Sequence, residues 1–186
     1  RVQSSPGELV IQHNVFVYGD YLVTSYYTDG VTIHDASNPS IMIEVGNYDT
    51  SPAFSGDGFH GCWGVYPYLP SGLIIATDME NGLFVLDPTY LSASYLEGNV
   101  TDSISGLAID GVQIDILSTS VSVNTNILGD YHTGIATSGT FDITYSKFGY
   151  FSKTITGVVF TPGNTTIIDV ELKPTNQFVC HIKILD

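Results

Sequence analysis

The chain is constrained most by the fact that it repeats itself. The stretch "HNVFVYGDYLVTSYYTDGVTIHD", His13 to Asp35, is followed by "HGCWGVYPYLPSGLIIATDMENGLFVLD", His60 to Asp87. Gly30 to Asp35 aligns with Gly82 to Asp87, Tyr21 to Ser25 with Leu73 to Thr77, and His13-Asn14 with His60-Gly61. A catalytic site is built once, whereas a structural unit recurs, so the pattern points first to architecture. Each unit reads strand, turn, strand, turn, strand: Val15 to Tyr18, "GD", Tyr21 to Tyr26, "TDG", then Val31 to His34. The first unit adds a fourth strand, Ile41 to Tyr48, after "DASNPS", where the residue ahead of the proline is biased away from helix. A period of about 45 residues with four short strands is the mark of a β-propeller blade. Residues 1–93 are therefore expected to form a partial propeller of about two blades. Two blades close no ring, and their open sheet edges invite self-association.

The pattern changes after Asp87. "PTYLSASY" reads as a connector, which places a boundary near Tyr90 to Ser94. In "DGVQIDI" Val112, Ile114 and Ile116 alternate with Gln113 and Asp115, as in a strand with one buried and one wet face. Further strands are expected at Tyr131 to Ala136, Thr140 to Ser146, Phe151 to Val159 and Thr166 to Leu172, separated by "LGD", "TSG", "KFG" and "TPGN". Residues 94–174 thus predict a small Greek-key-like β-sandwich, and the fold class is all-β. Residues 175–186 read as a C-terminal strand or linker, with Phe178, Cys180, Ile182 and Ile184 on one face.

Composition narrows the function. The chain has 19 acidic residues against 5 Lys and Arg, a formal charge of -14. Such a surface repels phosphate backbones and anionic membranes, so nucleic acid is excluded as a partner. No apolar run is long enough to cross a bilayer, so no membrane insertion is expected, and no signal peptide is read at Arg1. The opening at Arg1 fits a mature secreted fragment or a cut piece. Acidity suits a solvated secreted surface, and it also makes Ca2+ a candidate ligand through oxygen donors. Cys62 and Cys180 have neither zinc-site nor redox-motif spacing, and read as buried thiols or as a disulfide pair.

The candidate chemistry is sparse. There is no "GxSxG" elbow, and the five histidines fall at repeat, strand or turn positions, so no catalytic residue is assigned. Asp78 and Glu80 in "TDMEN", like Asp29 and Asp35, read as turn acids. His13 and His60 are candidate metal ligands: equivalent positions in adjacent blades would bring both imidazoles to one ring, where zinc, copper, nickel or iron would be suited. The alternative is that each histidine caps its own blade. Trp63, Tyr66 and Tyr68 in "CWGVYPYLPSG" are candidate partner-binding residues, because prolines and glycines hold these aromatics in a stiff loop.

Two resemblances add to this reading. Residues 8 to 88, through "HNVFVYGDYLVTSYYTDGVTIHDASNPSIMIEVGNYDT" and "GCWGVYPYLPSGLIIATDMENGLFVLDP", resemble the C-terminal end of the choice-of-anchor B family, secreted bacterial proteins with propeller units of the LVIVP repeat type. The second half resembles a carboxypeptidase regulatory-like domain, a transthyretin-type sandwich, through "GNVTD" (Gly98 to Asp102), "DGVQIDI" (Asp110 to Ile116), "GDY" (Gly129 to Tyr131) and "KFGYFSKT" (Lys147 to Thr154). Where that family has a proline step before its "GV", this chain has "LAIDGV". The resemblances imply export, a source in Bacteroidota, and a non-catalytic secreted or cell-surface module for adhesion, binding protein or glycan at the cell exterior. The second function they leave open is the accessory portion of a secreted hydrolase.

Overall fold

The computed structural model describes residues 9–175. Every regular element among them is a strand: β1 (Asn14–Tyr18), β2 (Tyr21–Ser25), β3 (Val31–Asp35), β4 (Ile43–Tyr48), β5 (Cys62–Tyr66), β6 (Ile74–Asp78), β7 (Gly82–Leu86), β8 (Ser94–Asp102), β9 (Gln113–Ile116), β10 (Ser122–Asn124), β11 (Asp130–Ile135), β12 (Gly139–Ser146), β13 (Lys153–Phe160), β14 (Thr165–Ile167) and β15 (Val170–Leu172). They form sheets ordered β1-β2-β3-β4, β5-β6-β7, β10-β9-β12-β13 and β11-β8-β14, with β15 also on β8. None closes into a barrel. The fold is all-β, a partial propeller and a sandwich. The expected strand within residues 175–186, and Cys180 with it, lie outside the described residues.

The chain divides into two compact units. One takes the residues up to Leu96 with Thr133–Gly139 and Val159–Thr166; the other takes Glu97–His132, Thr140–Val158 and the chain from Ile167 on.

In the first unit the two repeats are blades of antiparallel strands. β1 and β2 are joined by the two-residue "GD" turn, with Tyr18 opposite Tyr21 and Gly19 at φ 60. β2 turns into β3 at Gly30 and β6 into β7 at Gly82, both left-handed, with φ of 78 and 82. Gly30 has a second reason to be glycine: a Cβ there would meet the Tyr48 carbonyl oxygen. The register pairs Ser25 with Val31 and Thr77 with Leu83, so β2 and β3 superpose in register on β6 and β7.

The burial of equivalent residues shows how the blades stack. Val31 and Ile33 are 2% and 7% exposed, yet their counterparts Leu83 and Val85 are 65% and 60% exposed. On the opposite faces the relation inverts: Val15 is 50% exposed and its counterpart Val65 only 6%. Equivalent residues thus take opposite roles. The face of the first blade carrying Val23, Val31 and Ile33 packs on the face of the second carrying Val65, Ile74 and Ala76, in one core with Cys62. Such a head-to-tail stack is how blades succeed one another in a propeller, and it leaves the Leu83 and Val85 face of the second blade uncovered.

The second unit has a core of alternating inward residues. Val112, Ile114 and Ile116 are buried as the alternation predicts, with Val100, Tyr131, Ile143, Tyr145, Val170 and Leu172. Tyr145 and Tyr131 hydroxyls lie 2.9 Å apart, and Tyr131 donates onward to the Ile168 carbonyl at 2.7 Å. Burial raises the pKa of both phenols, so they stay neutral donors. Thr166 to Leu172, expected as one strand, is two: the ladder breaks at Ile168 and Asp169, where Asp169 Oδ1 accepts from the Asn99 amide at 2.9 Å. β15 then runs parallel to β8, with Val170 opposite Val100.

Candidate functional site

The aromatic residues of the second blade surround β5. Cys62–Tyr66 is a strand, not the stiff loop expected from its glycines and prolines; of the three candidate contact residues only Tyr68 lies in the loop beyond it. The register shifts between Cys62 and Gly64, so Trp63 occupies a bulge. A bulge re-aims a side chain that regular alternation would direct to the other face. Trp63 is 49% exposed, beside the buried Cys62, and Phe59 is more exposed still.

Two aromatic groups result. In one, Trp63 packs on the His13 ring at 4.2 Å and edge-on to Tyr27 at 6.2 Å, and Tyr27 meets Phe59 at 5.4 Å. In the other, Tyr66 and Tyr68 meet edge-to-face at 5.5 Å, and Tyr68 extends to Phe16 and Tyr18. Tyr18 stacks in turn on Tyr90 at 5.1 Å. Tyr68 has a structural task as well, since its hydroxyl donates to the Val17 carbonyl at 2.6 Å and ties the loop to β1. Trp63, Tyr66 and Phe59 are each about half exposed or more and present part of a ring face to solvent. Such faces stack against apolar planes, including those of sugar rings.

The two histidines do not occupy equivalent positions. Asn14 opposes Ser25, and Gly64 opposes Thr77, so the counterpart of Asn14 is Gly64 and that of His13 is Trp63. The alignment of His13 with His60 is thereby corrected by three positions. His13 Nδ1 lies 2.5 Å from the Trp63 carbonyl, to which it donates. His60 Nδ1 donates to Glu80 Oε1 at 2.7 Å and its ring stacks on Phe54 at 4.2 Å. Glu80 Oε2 accepts from the Gly61 amide at 2.8 Å; the His60 and Gly61 hydrogen bonds hold its carboxyl below the usual pKa. Among the described residues no group of three or more His, Cys, Asp or Glu comes together as a metal site. His13 thus links the entrance of β1 to β5 of the other blade, while His60 ties the entrance of β5 to the turn after β6.

Asp78 is the polar centre between the blades. Its Oδ2 accepts from Thr50 Oγ1 at 2.6 Å and Ser51 Oγ at 2.7 Å; Oδ1 accepts from the amides of Glu80 and Asn81. Asn81 Nδ2 closes the network on the Thr50 carbonyl and Ser51 Oγ, both at 2.9 Å. Burial pushes the Asp78 pKa up, but these hydrogen bonds outweigh it and hold the carboxyl below its ordinary value. Asp78 is a turn acid, as the sequence suggests, and also an inter-blade lock, which the sequence does not reveal. Cys62 beside it is free and buried, and burial, followed by the Asp78 charge, pushes its thiol up to about 12. His34, at the back of the first blade, lies 4.0 Å from Glu44, and burial lowers its pKa.

A cleft of about 390 Å³ lies between the blades. Val31, Ile33, Gly46 and Tyr48 line it from the first blade, and Ile74, Val85 and Leu86 from the second.

Residues 95–173 match the carboxypeptidase regulatory-like domain, and residues 12–50 match the LVIVD repeat, the span of the four-stranded blade. The domain types matched are regulatory or binding types, not catalytic ones. The chain is similar to carboxypeptidase D of Homo sapiens, 31% identical over 80 residues, and of Mus musculus, 29% identical over 80 residues. The aligned part is 43% of this chain and 6% of each relative. Among solved structures it is similar to a type II cohesin–X-dockerin complex from Acetivibrio cellulolyticus (17% identity, 41% of this chain and 51% of that one, TM-score 0.37). It is also similar to GBS52, the minor pilin of Streptococcus agalactiae (12% identity, 63% and 66%, TM-score 0.36). Superpositions this partial carry no functional argument. No described helix is long and apolar enough to cross a membrane.

Proposed function

We propose that the chain is a non-catalytic, extracellular or cell-surface binding module of a larger secreted protein, which contacts glycan or protein through the aromatic surface around Trp63. The observation that carries this is Trp63 itself, turned outward by a bulge and joined through Tyr27 to the exposed Phe59. A large aromatic held rigidly at half exposure contributes contact area at little entropic cost. Membership of the choice-of-anchor B family, export and a source in Bacteroidota belong to the same proposal, and rest on the repeat motifs of residues 8 to 88. The test is an array of glycans and extracellular proteins probed with the purified chain, alongside hydrolase assays. Saturable binding that Trp63→Ala removes, without turnover, supports the proposal; turnover by the chain alone refutes it.

A second reading, the accessory portion of a secreted hydrolase, is favoured by the regulatory-like match at residues 95–173 and by the likeness to carboxypeptidase D. The complete open reading frame discriminates, since this reading requires a catalytic domain adjoining Arg1 or Asp186.

A further inference from the structure

The two blades differ in one respect that their repetition makes informative. β3 is paired on its outer side by β4, with Val31 opposite Tyr48 and Ile33 opposite Gly46. Its counterpart β7 pairs only with β6 among the described residues. The outer edge of β7 therefore presents a row of backbone donors and acceptors. The cleft of about 390 Å³ lies beside this edge. Its floor is β4 of the first blade, where the second blade has three strands among the described residues. At Gly46 the nearest atoms a Cβ would meet are those of the Ile33 side chain, at 3.7 Å and beyond, so the floor has room for a side chain. Val31, Ile33, Ile74 and Leu86 give the cleft an apolar wall, and Asn47, Asp87 and Thr89 add polar groups to its lining.

We infer that the β7 edge and this cleft accept an extended strand from another protein, which pairs with β7 as β4 pairs with β3. Backbone pairing supplies affinity, and alternate apolar side chains entering over Gly46 supply selectivity. The site continues the existing interface between the blades by one strand, because the same β4 face that floors the cleft is already buried further along against the second blade. The chemistry of the occupant follows from charge as well as shape. This chain carries -14, and Asp87 stands at the cleft rim, so a second copy is repelled and a strand with basic flanks is favoured.

The experiment is amide hydrogen exchange on the full chain, with and without a synthetic peptide that copies Ile41 to Thr50 between added lysines. A matching peptide with proline in place of the residue corresponding to Val45 is the control. The β7 amides not bonded to β6 should exchange rapidly in the free chain and at least about tenfold more slowly with the peptide. The proline peptide should give no protection, and Gly46→Val, which fills the floor, should abolish protection without altering Trp63 emission. Absence of protection in β7, protection confined to other strands, or equal protection by the proline peptide overturns the inference. If the β7 amides are already slow in the free chain, the assigned occupant is also wrong. Loss of that protection on dilution would then assign the edge to a second copy, and loss on truncation after Thr175 would assign it to the chain's own C-terminal segment.

Discussion

Asp78→Ala is the sharpest perturbation of the blade pair. The carboxylate accepts four hydrogen bonds, two from buried hydroxyls and two from turn amides. Truncation leaves Thr50 Oγ1 without its acceptor, while Ser51 Oγ keeps the Asn81 amide. The turn amides are partly accessible and recover water. One stranded buried hydroxyl costs about 1–3 kcal/mol, and the lost charge-assisted bonds add to it, so the first unit should lose roughly 2–4 kcal/mol. Trp63 is the sole tryptophan and belongs to the blade that holds Asp78, so urea unfolding followed by its emission reads this unit alone. A second signature lies in pH. Hydrogen bonding holds the folded Asp78 pKa below the ordinary 3.8, so its contribution to stability is complete above that value and is lost as pH falls through the folded pKa. Asp78→Ala should therefore flatten the acid limb of stability as well as lower the plateau. A change below about 0.5 kcal/mol, the size of an ordinary surface substitution, would refute the role of Asp78 as a lock.

Further perturbations test other parts. Gly61 sits at φ 87 with the Tyr27 carbonyl oxygen where a Cβ would be, so Gly61→Ala should destabilise the first unit by more than about 1 kcal/mol in the same urea assay. In the second unit, Tyr131→Phe strands both the Tyr145 hydroxyl and the Ile168 carbonyl, whereas Tyr145→Phe leaves the Tyr131 bond to Ile168 intact. Tyr131→Phe should thus cost more, by about 1 kcal/mol, in thermal unfolding monitored by near-ultraviolet circular dichroism. Alkylation of Cys62, followed by peptide mass spectrometry, should be negligible in the native chain at pH 8 and should track unfolding, because burial and the Asp78 charge hold its thiol near 12. Chelator treatment should leave Trp63 emission unchanged, since His13 and His60 hold separate partners; a change reversed by added metal would support the ligand reading.

The blades were legible because a repeat shows in sequence wherever its strands are short and its turns need glycine. Gly30 and Gly82 mark the same left-handed turn, and the alternation of Val112, Ile114 and Ile116 marks the sandwich core just as directly. The error over the histidines has a physical origin. Blade 1 joins its first two strands by two residues, whereas blade 2 uses a longer loop carrying Tyr68, so matching the histidines letter by letter slips the register of the first strand. Aligning "HNVFVY" with "WGVYPY" would have paired His13 with Trp63. Continuing the opposition of Cys62 and Asp78 by two residues would then have set His60 against Glu80. The bulge at Trp63 and the break at Ile168 and Asp169 left no such signal. The Asp78 network was illegible because its hydroxyl partners lie 27 and 28 residues away.

The central claim is that the surface around Trp63 is the contact surface, and calorimetric titration of the whole chain with a glycan or protein recovered from the array tests it most directly. Trp63→Ala should weaken binding at least about tenfold, or about 1.4 kcal/mol, while Leu107→Ala, an exposed apolar site in the sandwich half, should leave it unchanged. Equal affinity in the native chain and in Trp63→Ala would contradict the account.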